Sequence, residues 1–142
     1  MATALVGVAF RGIVFLSSEM ISTNRSELIR MFVLNAICDD YEDMEQISKD
    51  VFDLGARCGL TIQVSDIIEG LESLIEAGLA KAFLFDQPPP SQEIDGVPTS
   101  YGSDYLYFFI TPKGRELHQE DYSPWPFDEE NELRKDWRPP SN

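Results

Sequence analysis

The stretch from Ser65 to Leu117 restricts the fold more than any other part of the chain. It opens with an amphipathic pattern, Ser65-Asp66-Ile67-Ile68-Glu69-Gly70-Leu71-Glu72-Ser73-Leu74-Ile75-Glu76-Ala77-Gly78. Ile67/Ile68, Leu71 and Leu74/Ile75 recur three to four residues apart and form one apolar stripe of a helix. Ser65 is expected to cap its first amides, and Gly78 to end it in the left-handed conformation. Two apolar strands follow, Leu79–Phe85 and Tyr105–Ile110, separated by a long polar loop. The run closes on Thr111-Pro112-Lys113-Gly114-Arg115-Glu116-Leu117, where Thr111 suits a cap and Pro112 the first helical position.

Upstream the pattern is also helical. Leu28/Ile29, Phe32/Val33 and Ala36/Ile37 repeat every four residues and define a helix over roughly 25–38. After the polar turn Asp39–Asp43, the residues Met44, Ile47, Val51 and Leu54 mark a second helix, which Gly55 is expected to end. A short strand is expected at Leu60-Thr61-Ile62. Gly70, unfavourable inside a helix, implies close approach of a neighbouring backbone, assigned to the second helix. Phe32, Ile47, Val51, Leu71, Leu74, Phe83 and Phe109 are expected to meet in one core.

Helix, strand, loop, strand and helix in this order resemble a winged-helix domain over roughly residues 25–118. The most specific pieces are Leu71-x-x-Leu74-x-x-x-Gly78-Leu79 and Phe109-Ile110-Thr111-Pro112-Lys113-Gly114-Arg115-Glu116-Leu117. Bacterial regulators of the MarR-like and PadR-like kind look similar at both places. The resemblance implies an α+β fold, a three-helix core plus a small antiparallel wing, with residues 87–104 as the wing loop. It also implies a third helix entering the DNA major groove and a basic residue on the wing.

The charges oppose that role. Eleven basic residues stand against twenty-five acidic ones, a formal net charge of −14. Within 24–118 seven bases face seventeen acids, so the acidity is not confined to the tail. The third helix presents Asp66, Glu69, Glu72 and Glu76 and no Lys or Arg, and the wing has no base. Phosphate contact supplies most non-specific DNA affinity, and acids here repel it. The same field attracts a basic protein surface, so Asp66, Glu69, Glu72, Glu76 and Tyr101 are the candidate protein-binding surface. The alternative is a regulator that binds DNA as a dimer through an atypical patch of Arg57, Lys81, Lys113 and Arg115.

The flanks are harder to read. Residues 1–23 form an apolar arm in which Leu5, Ala9, Gly12/Ile13, Leu16 and Met20 share a helical face. Its Val, Ile and Phe content suits strands as well; helix is preferred. Arg11 interrupts the run, which has neither the basic start of an export signal nor the length of a membrane span. The arm is expected to cover part of the core or to form a homodimer contact. Residues 119–142 form an acidic extension rich in proline and aromatics, with a short helix expected over 128–137. Tyr122, Trp125, Phe127 and Trp137 are expected to pack back on the domain.

No catalytic constellation stands out. His118 has no Cys or His near it in sequence for a metal set. No Gly-x-Ser-x-Gly elbow or phosphate loop occurs, and Asp39–Asp43 lacks the spacing of a calcium loop. Cys38 and Cys58 fit no redox or zinc spacing, and Cys38 is expected to be a buried thiol. The expectation is a non-enzymatic cytoplasmic protein without cofactor or metal.

Overall fold

The computed structural model describes residues 24–85, 92–119 and 125–140. The arm over 1–23, the start of the 87–104 loop and Tyr122 lie outside them. The described residues make an α+β fold of four helices and one antiparallel sheet. In chain order these are α1 (Arg25–Ala36), β1 (Glu42–Asp43), α2 (Met44–Arg57), α3 (Val64–Glu76), β2 (Ala80–Leu84), β3 (Gln92–Glu93), β4 (Leu106–Ile110) and α4 (Pro112–Gln119).

α1 is the hub. Seven of its twelve residues are buried, far more than one stripe, so it must be covered on several sides. α2, α3 and α4 all pack on it. Asn24 caps it by accepting from the Glu27 amide at 2.7 Å. Asp43 caps α2 in the same way, accepting from the Gln46 amide at 2.9 Å. Gly55 does not end α2. It is buried inside the helix, which runs to Arg57, and Gly59 at φ 83° supplies the left-handed exit.

α3 begins one residue earlier than Ser65. The Gln63 amide donates to the Asp66 carboxylate at 2.8 Å, so Asp66 satisfies the helix start and Ser65 is left exposed in the first turn. Gly70 faces α1 rather than α2: a Cβ there would lie 3.4 Å from Val33 Cγ2 and 3.8 Å from Arg30 Cα. Gly78 ends the helix at φ 78° as expected, and the Leu79 amide reaches back to the Leu74 carbonyl at 2.8 Å.

The sheet has strand order β1-β4-β2-β3. The small strand is Glu42–Asp43, between α1 and α2, and residues 60–62 form none. β1 pairs with β4 as Glu42↔Phe108 and Asp43↔Tyr107. β2 and β4 pair from Ala80↔Ile110 to Leu84↔Leu106. Leu106, Phe108 and Ile110 point into the core with Ala80 and Ala82, beside Phe32, Ile47, Val51, Leu71 and Leu74. Phe83 and Phe109 were expected there as well. Both stand on the outer face and are half-buried, because side chains alternate along a strand and Phe108 holds the inner position; Phe109 still packs against the edge of the core, and Phe83 does not.

The Thr111-Pro112-Lys113-Gly114 step fastens α4 to the sheet. The Thr111 hydroxyl accepts from the Gly114 amide at 3.0 Å and donates to the Gly78 carbonyl at 2.7 Å. A Cβ on Gly114 would stand 2.2 Å from the Leu79 carbonyl oxygen, so only glycine permits this crossing.

Residues 125–140 contain no helix; they form a turn closed by the bridge Phe127↔Leu133. The Asp128 carboxylate accepts from the Glu130 and Glu132 amides, both at 3.0 Å, and this side-chain bonding displaces the helical alternative. Phe127 is buried, and Trp125 meets Phe32 edge-on at 5.4 Å. Trp137 also packs on the core. Among the described residues no helix is long and apolar enough to cross a membrane.

Candidate interaction surfaces

The acids of α3 do not act alike. Asp66 is engaged within the chain: besides capping the helix it pairs with Arg25 at 3.1 Å. The Arg25 contact and the Gln63 amide together hold its carboxyl below the ordinary range. Glu72 accepts a hydrogen bond from the Tyr101 hydroxyl at 3.1 Å. Tyr101 is half-buried, stacked on Phe108 with ring centroids 6.1 Å apart. Burial and the Glu72 charge push its phenol well above the ordinary value. The loop after β3 is thereby fastened across α3. Glu69 and Glu76 are exposed to solvent. On the side towards α1, Arg25, Arg30, Asp66, Glu69 and Ser73 line an open groove of about 1330 Å³. Pro139 and Pro140 of the tail complete its wall.

The four bases of the alternative patch all have partners inside the chain. Arg57 donates to the Asn131 carbonyl at 2.6 Å and lies 4.4 Å above the Phe127 ring. Lys81 pairs with Glu93, whose hydrogen bond and charge hold the ammonium above its ordinary value. Lys113 donates to the Ala77 carbonyl at 3.1 Å. Arg115 donates to the Cys38 carbonyl at 3.0 Å and lies 5.7 Å over Phe109. Lys81 and Arg115 both flank Phe109, whereas Lys113 sits at the end of α3 and Arg57 beside the C-terminal turn.

A further feature was not foreseen from the residues: an aromatic cluster on the outer face of the sheet. Tyr41 stacks on Phe109 at 4.5 Å and meets Phe83 edge-on at 5.2 Å. It also leans on Phe85, which stacks on Tyr107 at 4.9 Å. The available signal was Tyr105-Leu106-Tyr107-Phe108-Phe109-Ile110, a strand apolar on both faces, so that one face needs covering beyond the core.

His118 and the two thiols belong to the packing. His118 Nε2 lies 3.0 Å from Asn35 Oδ1, and burial pulls its pKa below the ordinary value. Cys38 and Cys58 are buried free thiols, and burial pushes Cys58 up to about 11, far from a reactive thiolate. In the Asp39–Asp43 turn, Asp43 caps α2 and Asp40 accepts from the Tyr41 amide at 2.8 Å. Among the described residues no group of three His, Cys, Asp or Glu is placed to hold a metal ion. Comparison with family models, with curated proteins and with solved structures finds no match.

Proposed function

We propose that this chain is a non-enzymatic interaction module of winged-helix type that binds a protein carrying a basic surface. The observation that carries the reading is the state of α3. Its exposed charges are the acids Glu69 and Glu76, and Tyr101 fastens the following loop to Glu72 on the same helix. A helix so charged and so covered is a poor partner for phosphates and a good one for Lys and Arg. The winged-helix reading is supported by three helices followed by two long paired strands, and by the Thr-Pro-x-Gly step into α4. A cytoplasmic setting fits two buried free thiols, and a homodimer through residues 1–23 remains part of the proposal.

The second reading is a dimeric DNA-binding regulator using Arg57, Lys81, Lys113 and Arg115. What favours it is the proximity of Lys81 and Arg115 around Phe109; what opposes it is the internal partner each base already has. Fluorescence anisotropy with a labelled random duplex, repeated over a salt series, separates the two. The expected result is no binding at physiological salt, where non-specific dissociation constants are typically about 10⁻⁴ to 10⁻⁶ M. Micromolar binding that weakens steeply with salt, and is lost in Lys81→Ala or Arg115→Ala, would establish the second reading instead.

A further inference from the structure

The outer face of the sheet carries five rings in continuous contact, from Tyr41, Phe83, Phe85, Tyr107 and Phe109. Of the five only Phe109 also packs against the core, whose buried residues lie on the other side of the sheet. Tyr41 is 39% exposed, and Tyr105, next along the same row of β4, is 56% exposed. Aromatic side chains grouped at a surface are what protein interfaces favour, because they bring much contact area for little loss of conformational freedom.

The charges around the rings say what kind of occupant fits. Asp43 stands opposite Tyr107 in the β1–β4 register, and Glu93 stands opposite Phe83 in the β2–β3 register. Asp40 precedes Tyr41 and Asp104 precedes Tyr105, both carboxylates being exposed. Of the two bases at this face, Lys81 is paired with Glu93 and Arg115 is bonded to the Cys38 carbonyl. With Glu93 neutralised by Lys81 and the Asp43 carboxylate engaged in the α2 cap, Asp40 and Asp104 leave the rim acidic around an aromatic floor. Arg115 shows the chemistry directly, since its guanidinium already lies over the Phe109 ring. A second copy of this chain would bring the same acids against one another in a twofold contact, which disfavours it.

We propose that this face docks a basic, amphipathic segment of the partner protein. Its apolar side chains lie against Phe85 and Tyr107, and its Lys or Arg side chains stack on the rings towards the acids of the rim. The inference rests on the protein-binding reading above and adds the outer sheet to α3 as a place of contact.

The test uses the full chain and a short fluorescent peptide of alternating arginine and leucine, with a glutamate-for-arginine control. Saturable binding of the arginine peptide alone is expected. Tyr107→Ala and Phe85→Ala should each weaken it by about tenfold, the size of one partly buried apolar contact. Because those variants also loosen packing, Asp104→Asn and Asp40→Asn serve as surface changes that leave the rings in place; they should weaken binding and flatten its salt dependence. A benzophenone side chain at position 105 should crosslink to the peptide. Crosslinks to residues 1–23 of the same chain, or to a second copy, would overturn the proposal by identifying another occupant. Binding that survives all four variants but falls in Glu69→Gln and Glu76→Gln would sink the sheet site while leaving the protein-binding reading intact. No peptide binding together with salt-sensitive DNA binding would remove both.

Discussion

The two faces of β4 have nearly the same apolar composition and opposite fates. Leu106, Phe108 and Ile110 face α1 and α3 and are buried; Tyr107 and Phe109 face away and are half-buried among other rings. Burial is thus decided by what lies across from a side chain rather than by the side chain's own hydrophobicity. The inner face is closed by the helices: α3 packs directly on β2, and the buried residues of α1 join the same core. Among the described residues the outer face is covered by Tyr41, next to the short strand β1, and by the Arg115 guanidinium over Phe109.

The largest effect expected from this contrast separates neighbouring phenylalanines. Phe108→Ala removes a fully buried ring and should cost about 3–5 kcal/mol. Phe109→Ala removes a half-buried ring stacked on Tyr41 and should cost less, about 1–3 kcal/mol from the ring contact and the partial burial together. Urea denaturation of the two variants decides it: equal losses would mean the two faces are not energetically distinct. Leu71→Ala, on the α3 side of the same core, should cost about 2–5 kcal/mol, and an unchanged midpoint would show the inner face is not closed by α3.

A smaller effect probes how α4 closes the inner face. Gly114→Ala places a methyl group where the Leu79 carbonyl oxygen and Ile110 Cγ1 already stand, 2.2 and 2.8 Å from the new Cβ. One of these elements must move, which for overpacked sites costs about 1–3 kcal/mol. A variant as stable as the parent would show that α4 yields there and that the crossing is not tight.

Much of this architecture was legible in the residues, and the failures share a cause. Helical periodicity located α2 and α3 because each has a polar side that contrasts with its apolar one, whereas α1, apolar almost all round, was marked by apolar pairs recurring every four residues. β4 lacks that contrast, so alternation identified a strand but could not say whether Phe108 or Phe109 faced inward. Gly55 reads as a helix end because a buried, tightly approached glycine and a terminating one look alike in sequence. Asp128 drew the tail away from a helix by bonding its own downstream amides, a competition that acids-first, bases-last patterning does not reveal. The outer aromatic cluster depends on Tyr41 meeting Phe83 and Phe109 across the sheet, far apart in sequence. The acidity of α3 was plain, but that Asp66 is absorbed by Arg25 and the helix start needed the fold.

The smallest effects concern titration, and the two sides of the molecule should respond at opposite ends of the pH scale. His118 lies against Asn35 in the seam between α1 and α4. Burial lowers its pKa, opposed by the charge of Asp39 and assisted by that of Arg115. Below the ordinary value of 6.5 the unfolded chain therefore binds the proton more readily than the folded one. Stability from this group is complete above that value and is lost as pH falls through the lower folded value. The carboxylate Asp66, held low by Arg25, adds its own loss only at still lower pH, below its ordinary 3.8. Lys81 on the outer face behaves inversely. Glu93 raises its pKa, so its contribution is complete below 10.5 and disappears as pH rises through the folded value. Being at the surface, the Lys81–Glu93 pair should be silenced by high salt, whereas the His118 effect, set by burial, should persist. Urea midpoints of the parent and His118→Gln between about pH 7 and pH 5, at low and high salt, make the comparison. The glutamine keeps a donor for Asn35 and removes the titration, so its midpoint should fall less with acid. An identical acid slope in both proteins would place the sensitivity elsewhere than in the α1–α4 seam.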